Sequence, residues 1–516
     1  MSTPGNPLST EIDSELVIGL VAAVGTEVSL VVTSLEQELS RAGYNTVVIK
    51  VSSDVIPNLQ NVDTSGEAEY ERIDRLMTAG NLARKAASAR SGNEDVGNAV
   101  LAYGAAAQIF AKRESDADGK YVPFTKTAFI IDSLKRPEEV ETLRRIYPQG
   151  FILIGVDSAR SRRFEHLTET LLISESDAEN LMSRDENEAT ESHGQRVSKS
   201  FHLADFFVRL TNSNVPRDEV RRMVELWFGC PTHTPTFDEF AMFLAFSAAL
   251  RSADLSRQVG AVVAFDSQII GTGANDSPRA GGGLYWPGRD ENGEFQDEDR
   301  GRDYKRGGDS NREEQVRIIN EIVSLAEEHD LNPESVRDLL GRSRIRDLTE
   351  FGRVVHAEME AILSCGRQGI PTVGAEIFCT TFPCHNCAKH IIDAGLTRVV
   401  YIEPYAKSKA LEFHDDSIIP PEEEPAEDDH RVRFEPFSGI GPRRFYDLFS
   451  MHLSSGYDLE RKNSDTGETI EWNIREAPLR LSMKPTSYID LETQASHHFN
   501  DMLPQEATTG ESNDQD

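Results

Sequence analysis

Leu16–Gly19 opens an apolar run (ELVIGLVAAVGTE) that breaks at glycine, as a buried strand does on entering a loop. Apolar residues then return at helical spacing from Glu27 to Arg41 and stop at Gly43, predicting an amphipathic helix with a glycine end. Thr46–Val51 is a second strand-length run. Strand, loop, helix and strand form a βαβ unit, which favours a parallel sheet. Thr127–Ile131 and Gly150–Val156 repeat the strand pattern around a charged helical stretch, and Asp205–Leu210 supplies a short fifth strand. The polar, acidic segment 174–200 is expected to cover a ligand or hang in solvent. After a disordered tail, 1–15, residues 16–228 therefore read as a layered α/β domain of the nucleotide-kinase type.

Pro and Thr cluster at Cys230-Pro231-Thr232 and mark a boundary. Beyond it come an apolar helix, Phe237–Arg251, and a strand pair, Gln258–Phe265 and Gln268–Gly273. Residues 276–314 are rich in Gly, Asp and Arg without periodicity, and helical patches follow at 312–328 and 333–341, so 276–350 reads as an insertion or lid. Helix His356–Cys365, strand Glu376–Thr380, helix Cys384–Ala394 and strand Arg398–Glu403 complete a second α/β domain, 232–450, with a mixed sheet between helices. Residues 420–429 form a solvated acidic loop, and 451–516 a C-terminal extension with a disordered end.

The chain has 516 residues, 38% apolar, which predicts two or three globular domains. A net charge of −33 repels a polynucleotide backbone but leaves room for a small phosphorylated ligand in a local basic pocket, or a structured RNA at one basic face. Five cysteines make no disulfide framework. The first residues lack the basic-then-apolar plan of a signal peptide, and no run approaches the ~18 apolar residues of a bilayer span. A cytoplasmic protein without membrane contact is expected.

Two short segments carry chemistry: His356-Ala357-Glu358 and Pro383-Cys384-His385-Asn386-Cys387. Cys-x-x-Cys at a helix start puts two thiolates on one turn, where the helix N-terminus stabilises their charge. His356 supplies a third ligand, and three protein ligands leave the fourth position of a tetrahedral zinc to water. Glu358 can move a proton between that water and a leaving amine. The pairing is the zinc-deaminase signature. The structural alternative needs a fourth protein ligand, and Cys365 and Cys379 are its candidates. His385 is expected to face solvent or support the ligands.

With these motifs, residues 237–449 resemble the deoxycytidylate deaminase family. Arg251–Ala261 (RSADLSRQVGA) looks like that family's first helix-to-strand joint. Gly273–Asp276 looks like its second strand, ending in a sugar-binding Asn275, for which a plain turn residue is the alternative. Glu403-Pro404-Tyr405 and Ser408-Lys409-Ala410, before His414–Ser417, look like its phosphate-side loop. An amide can donate to and accept from a sugar hydroxyl, and Lys407, Ser408 and Lys409 can hold phosphate by charge-assisted hydrogen bonds. Glu403 and Tyr405 lie at a strand end, where open α/β sheets bind ligands. For either lysine alone, a solvated helix face is the alternative.

The whole chain is similar to bacterial anti-phage dCTP deaminases, in which a P-loop kinase-like domain precedes the deaminase. That resemblance implies conversion of dCTP to dUTP, and often dCMP to dUMP, depleting the pool during infection. It also implies a homo-oligomer and, for some members, an inhibitory small RNA. Three other readings stand beside it. They are a housekeeping dCMP deaminase for dTMP synthesis, a polynucleotide cytosine deaminase, and a nucleotide-sensing protein with a dead deaminase fold. The charge and the lack of a basic, aromatic groove oppose the second, and the intact His-Glu-Cys-Cys set opposes the third.

Gly19 to Thr26 resembles a phosphate-binding loop between strand and helix. Five residues separate Gly19 and Gly25 where the motif has four, Thr26 stands where lysine is expected, and Glu27 replaces the magnesium-binding hydroxyl. Asp132, ending its strand, fits a magnesium-side acid, and Arg136 could face the same crevice. Either the domain is a relic with regulatory or dimerising use, or it senses a regulatory nucleotide.

Overall fold

The apolar runs become strands in a computed structural model, which describes residues 14–60, 62–187, 193–211, 216–405, 407–423, 426, 428–483 and 485–504. The chain divides into two units, one of residues 1–235 with 438–516 and one of residues 236–437.

In the first unit β1 (Leu16–Ala22), β2 (Asn45–Lys50), β3 (Thr127–Leu134), β4 (Phe151–Ser158) and β5 (Phe206–Leu210) form a parallel sheet of order β5-β4-β1-β3-β2. Every residue of β1 is buried, as a central strand covered on both faces requires. Helix α1 (Val28–Arg41) packs Val31, Leu35 and Leu39 onto the sheet core. Two long helices had no counterpart in the sequence reading: α2 (Glu69–Ser91) and α3 (Val100–Phe110). The buried stripe of α2 includes Ala79, Gly80, Ala83 and Ala87, residues that carry little hydrophobic periodicity. Next come α4 (Pro137–Ile146) and α5 (Glu175–Asn187), the latter within the acidic segment expected to cover a ligand or hang in solvent.

The expected C-terminal boundary at 450 lies instead at 437/438. Gly439–Ile440 pairs antiparallel with the edge of β5, and helix Pro485–Asp501 packs on α3. Glu492 on that helix meets Arg113, which also holds Glu15 at 2.7 Å. Ser14 and Glu15 are thus buried, not part of a disordered tail. The rest of the expected tail, 1–13, and the expected disordered end, 505–516, lie outside the described residues.

The second unit begins with α6 (Phe237–Ala249), started by a capping box of Thr236 and Glu239. A mixed sheet follows, built from β6 (Gly260–Phe265), β7 (Gln268–Ala274), β10 (Glu376–Thr381), β11 (Arg398–Glu403), β12 (Ile418–Ile419) and β13 (Val432–Pro436). Its order is β12-β13-β11-β10-β6-β7, with β6 antiparallel to both neighbours and the rest parallel. Helices α8 (Ala357–Gln368) and α9 (His385–Asp393) pack on one face through Ala361, Ala388 and Ile391 against Ala261, Val263 and Ile377. On the other face α6 packs on β6 and β10. The stretch without periodicity holds a two-residue ribbon, β8 (Gly288–Arg289) with β9 (Phe295–Gln296), and then α7 (Ser310–Glu328). Arg302, 3.0 Å from both Asp276 and Asp297, ties it down. The Arg251 guanidinium stacks over Trp286, 3.6 Å from its ring centre. No helix among the described residues is long and apolar enough to cross a membrane.

Candidate active site

Glycine spacing sets where α8 can lie. A Cβ on Gly273 would stand 2.1 Å from the Ala357 carbonyl oxygen, and one on Gly271 2.5 Å from Cys365 Sγ. With hydrogens there, the first turn of α8 lies flush on β7. His356 is the N-cap of α8, with φ −68° and ψ 153°, and Cys384 is the N-cap of α9, with φ −69° and ψ 164°. Both helix N-termini therefore meet at one point, and their dipoles favour negative charge there.

His356 Nδ1 lies 3.4 Å from Cys384 Sγ and 3.3 Å from Cys387 Sγ, and the three ligand atoms are all within 4.8 Å of one another. Nitrogen and sulfur ligands at roughly 2.05 and 2.3 Å from a tetrahedral zinc sit about 3.5 Å apart, so the set fits the ion. Among the described residues no fourth protein ligand joins this group. Cys365 Sγ faces the Ile270 carbonyl at 3.6 Å, and burial pushes the Cys379 thiol well above the usual thiol range. Cys384 is drawn down to about 4, first by the hydrogen bond from Cys387 and also by His356. His356 is held up to about 9, chiefly by its hydrogen bond with Cys384. Glu358 is buried, and that burial raises its carboxyl above the usual range against the opposing pull of His356.

These groups open on a cavity of about 410 Å³, within the range of small-molecule sites. His356, Glu358 and Cys384 line it together with Thr381, Phe382, Asn275 and Tyr405. Arg257, Arg346 and Lys407 also line it, as do Asp309 and Asn311 of the insertion. Asn275 accepts from Val259 N at 2.7 Å and donates to the Arg257 carbonyl at 2.8 Å. An amide has two N–H groups and two lone pairs, so these bonds leave one of each.

Other expected contacts lie elsewhere. Glu403 accepts from Thr381 Oγ1 at 3.1 Å and is not among the cavity-lining residues. Ser408 Oγ donates to the Pro383 carbonyl at 2.8 Å, tethering the loop before the Cys pair, and Lys409 pairs with Glu412. His385 packs edge-on against Phe413. The sequence reading missed Arg257 and Arg346. Arg257 sat inside a quoted motif without a role, and Arg346 lies in a four-residue 3-10 helix, Arg344–Asp347, too short to give a periodic signal.

The N-terminal loop departs from its expected form. Gly19 is not in the loop: it lies inside β1, where a Cβ would meet Leu134 and Phe151 at 2.8 Å. Gly25 does turn the chain, with φ +82°, and Thr26 Oγ1 is buried without a hydrogen bond among the described residues. Asp185 Oδ2 accepts the Val24 amide at 2.9 Å, so a carboxylate takes a loop N–H. Asp132 reaches the crevice beyond the strand ends, but Arg136 does not; its guanidinium is buried on Glu138 at 2.8 Å and the Gly194 carbonyl. Lys135 lines the crevice in its place.

The family model for the cytidine and deoxycytidylate deaminase zinc-binding region matches residues 235–403. "ComE operon protein 2" of Bacillus subtilis is 55% identical over 53 residues, 10% of this chain and 28% of that protein. The deoxycytidylate deaminase of Enterobacteria phage T4 is 30% identical over 175 residues, 32% of this chain and 77% of the phage protein. The chain thus spans about a quarter of the first relative and three quarters of the second. The solved dCMP deaminase of cyanophage S-TIM5, apo form, is 18% identical over 40% of this chain and all of its own, with a TM-score of 0.22.

Proposed function

The chain belongs to the deoxycytidylate deaminase family, and from that premise we propose that it hydrolyses the 4-amino group from free cytosine deoxynucleotides, dCTP as well as dCMP. One observation carries the reading: an imidazole and two thiol sulfurs converge at two helix N-termini, beside a buried carboxyl that opens on the same cavity. Zinc is the cofactor of this site. When bound, it makes a water acidic enough to act as a nucleophile near neutral pH.

We assign the proton transfers to Glu358. It takes a proton from the attacking water and delivers it to the departing nitrogen. Water adds at the ring carbon, ammonia leaves, and the carbonyl of a uracil nucleotide remains. The spare N–H and lone pair of Asn275 suit a sugar hydroxyl. Phe382 and Tyr405 give the base aromatic walls. Arg257, Arg346 and Lys407 stand on the cavity wall together with Asp254, Asp303 and Asp309, and the three cations can meet a phosphate tail by charge-assisted hydrogen bonds. Consumption of dCTP by such an enzyme would drain a cytosine deoxynucleotide pool, the outcome expected of an anti-phage role.

Purified, zinc-loaded protein incubated with dCMP, dCTP, CMP, CTP and single-stranded DNA tests this. The expected products are dUMP and dUTP, with the DNA unchanged. Conversion of the DNA alone, or of no nucleotide, overturns it.

A further inference from the structure

Beyond the C-terminal ends of β1 and β3 the first unit holds a cavity of about 210 Å³. The strand order reverses there, since β2 and β3 lie on one side of β1 and β4 and β5 on the other. Open α/β sheets bind ligands at that switch point. The space is below the ~300–1,000 Å³ of typical ligand sites.

Its walls are of two kinds. Ile56, Ile73, Leu76 and Met77 make an apolar side. Asp132, Ser133 and Ser52 make a polar side, and none of the three makes a side-chain hydrogen bond among the described residues. Burial raises the Asp132 carboxyl above its usual range, against the pull of Lys135 and Lys50. Two of the three cations on the wall are paired with carboxylates, and the third gives one of its three N–H donors to a backbone carbonyl. Arg72 Nε donates to Glu69 at 2.8 Å, Arg84 Nη2 to Glu139 at 2.8 Å, and Lys135 Nζ to the Ala22 carbonyl at 2.7 Å.

In the neighbouring loop a carboxylate already holds one amide. A phosphate-binding loop offers its amides to an anion. Here the Val24 amide donates at 2.9 Å to Asp185, which is 5% exposed. Asp185 comes from α5, whose Ala178, Leu181 and Met182 pack with Val24, Ile73 and Met77. The helix thus seats a carboxylate beside the loop, and an incoming phosphate would meet its negative charge.

We propose that this cavity binds an uncharged nucleoside and discriminates against the corresponding triphosphate. Asp132 accepts a base or sugar donor, Ser52 and Ser133 complete the polar contacts, and the apolar wall takes the flat face of the base. The site is separate from the zinc cavity, whose lining residues all belong to the second unit.

Calorimetric titration of the full-length, zinc-loaded protein tests the proposal. Thymidine, adenosine and guanosine are the nucleoside probes, because none carries the cytosine amine; dTTP, ATP and GTP with magnesium are the charged counterparts. At least one nucleoside should bind at one site per chain, and its triphosphate at least tenfold more weakly. Asp132→Asn, an isosteric change, should weaken the nucleoside tenfold or more with zinc content and circular dichroism unchanged. Ser52→Ala, on a separate element, should weaken it in the same direction if the first variant fails to fold. Asp185→Asn should narrow the gap between nucleoside and triphosphate. The proposal is overturned by absence of nucleoside binding, by a triphosphate that binds as tightly as its nucleoside, or by folded Asp132→Asn and Ser52→Ala proteins that bind unchanged.

Discussion

Replacing Gly273 with alanine adds one methyl group where β7 meets α8. That Cβ would stand 2.1 Å from the Ala357 carbonyl oxygen and 2.4 Å from the Ala361 amide nitrogen. Relief to even the short side of van der Waals contact requires α8 to retreat by about 1 Å, because both obstacles are backbone atoms. Overpacking of this kind costs about 1–3 kcal/mol. For a domain of this size, each kcal/mol is worth roughly 2–4 °C, so Tm should fall by roughly 2–12 °C. The consequence for chemistry is larger. His356 caps α8 and Glu358 lies in its first turn, so both move away from Cys384 and Cys387. A misplacement of about 1 Å can lower turnover on the order of 100-fold. Bound zinc, the thermal midpoint and dCMP deamination should be measured on the same preparations. Thr272→Ala, on the exposed side of the strand, is the control, and its stability should change by less than about 0.5 kcal/mol. A Gly273→Ala protein with full zinc, unchanged turnover and an unshifted midpoint would refute the close fit of strand and helix.

Glu358→Gln should keep its zinc and lose roughly 10²–10⁴-fold in kcat, measured by ammonia release; turnover within a few fold of the parent removes Glu358 from the proton path. Cys384→Ser and Cys387→Ser should each lower the zinc content of purified protein, and a chelator should abolish activity that added zinc restores. Full zinc occupancy in both serine variants would contradict the assigned ligands. Arg346→Ala should raise KM for dCTP more than for dCMP with kcat held, the signature of a contact made equally in ground and transition states. Equal effects on both substrates would place Arg346 away from the outer phosphates.

The five parallel strands of the first sheet and β6, β7, β10 and β11 of the second were readable because buried strands carry long apolar runs, and Arg398–Glu403 spans the same residues in sequence pattern and structure; β12 and β13 had no counterpart, being short runs that flank an acidic loop. The His-x-Glu and Cys-x-x-Cys groups were readable because each lies within one helical turn, and the structure brings His356, Cys384 and Cys387 together. Helices α2 and α3 were not, since alanine and glycine stripes, or apolarity all round, give no helical period. Gly19 was misread because a glycine that makes room for Leu134 and Phe151 inside a strand looks, in sequence, like the start of a loop. The 437/438 boundary was hidden because Gly439–Ile440 completes the sheet edge beside β5, more than two hundred residues earlier in the chain. Arg346 was hidden because the distance between the insertion and the zinc ligands exists only in the folded unit.

X-ray absorption at the zinc edge of the loaded, full-length protein tests the central claim most directly. Two sulfur and two nitrogen-or-oxygen scatterers are expected: Cys384, Cys387, His356 and one light atom from solvent. A third sulfur from Cys379 or Cys365 would close the reactive position and contradict the account.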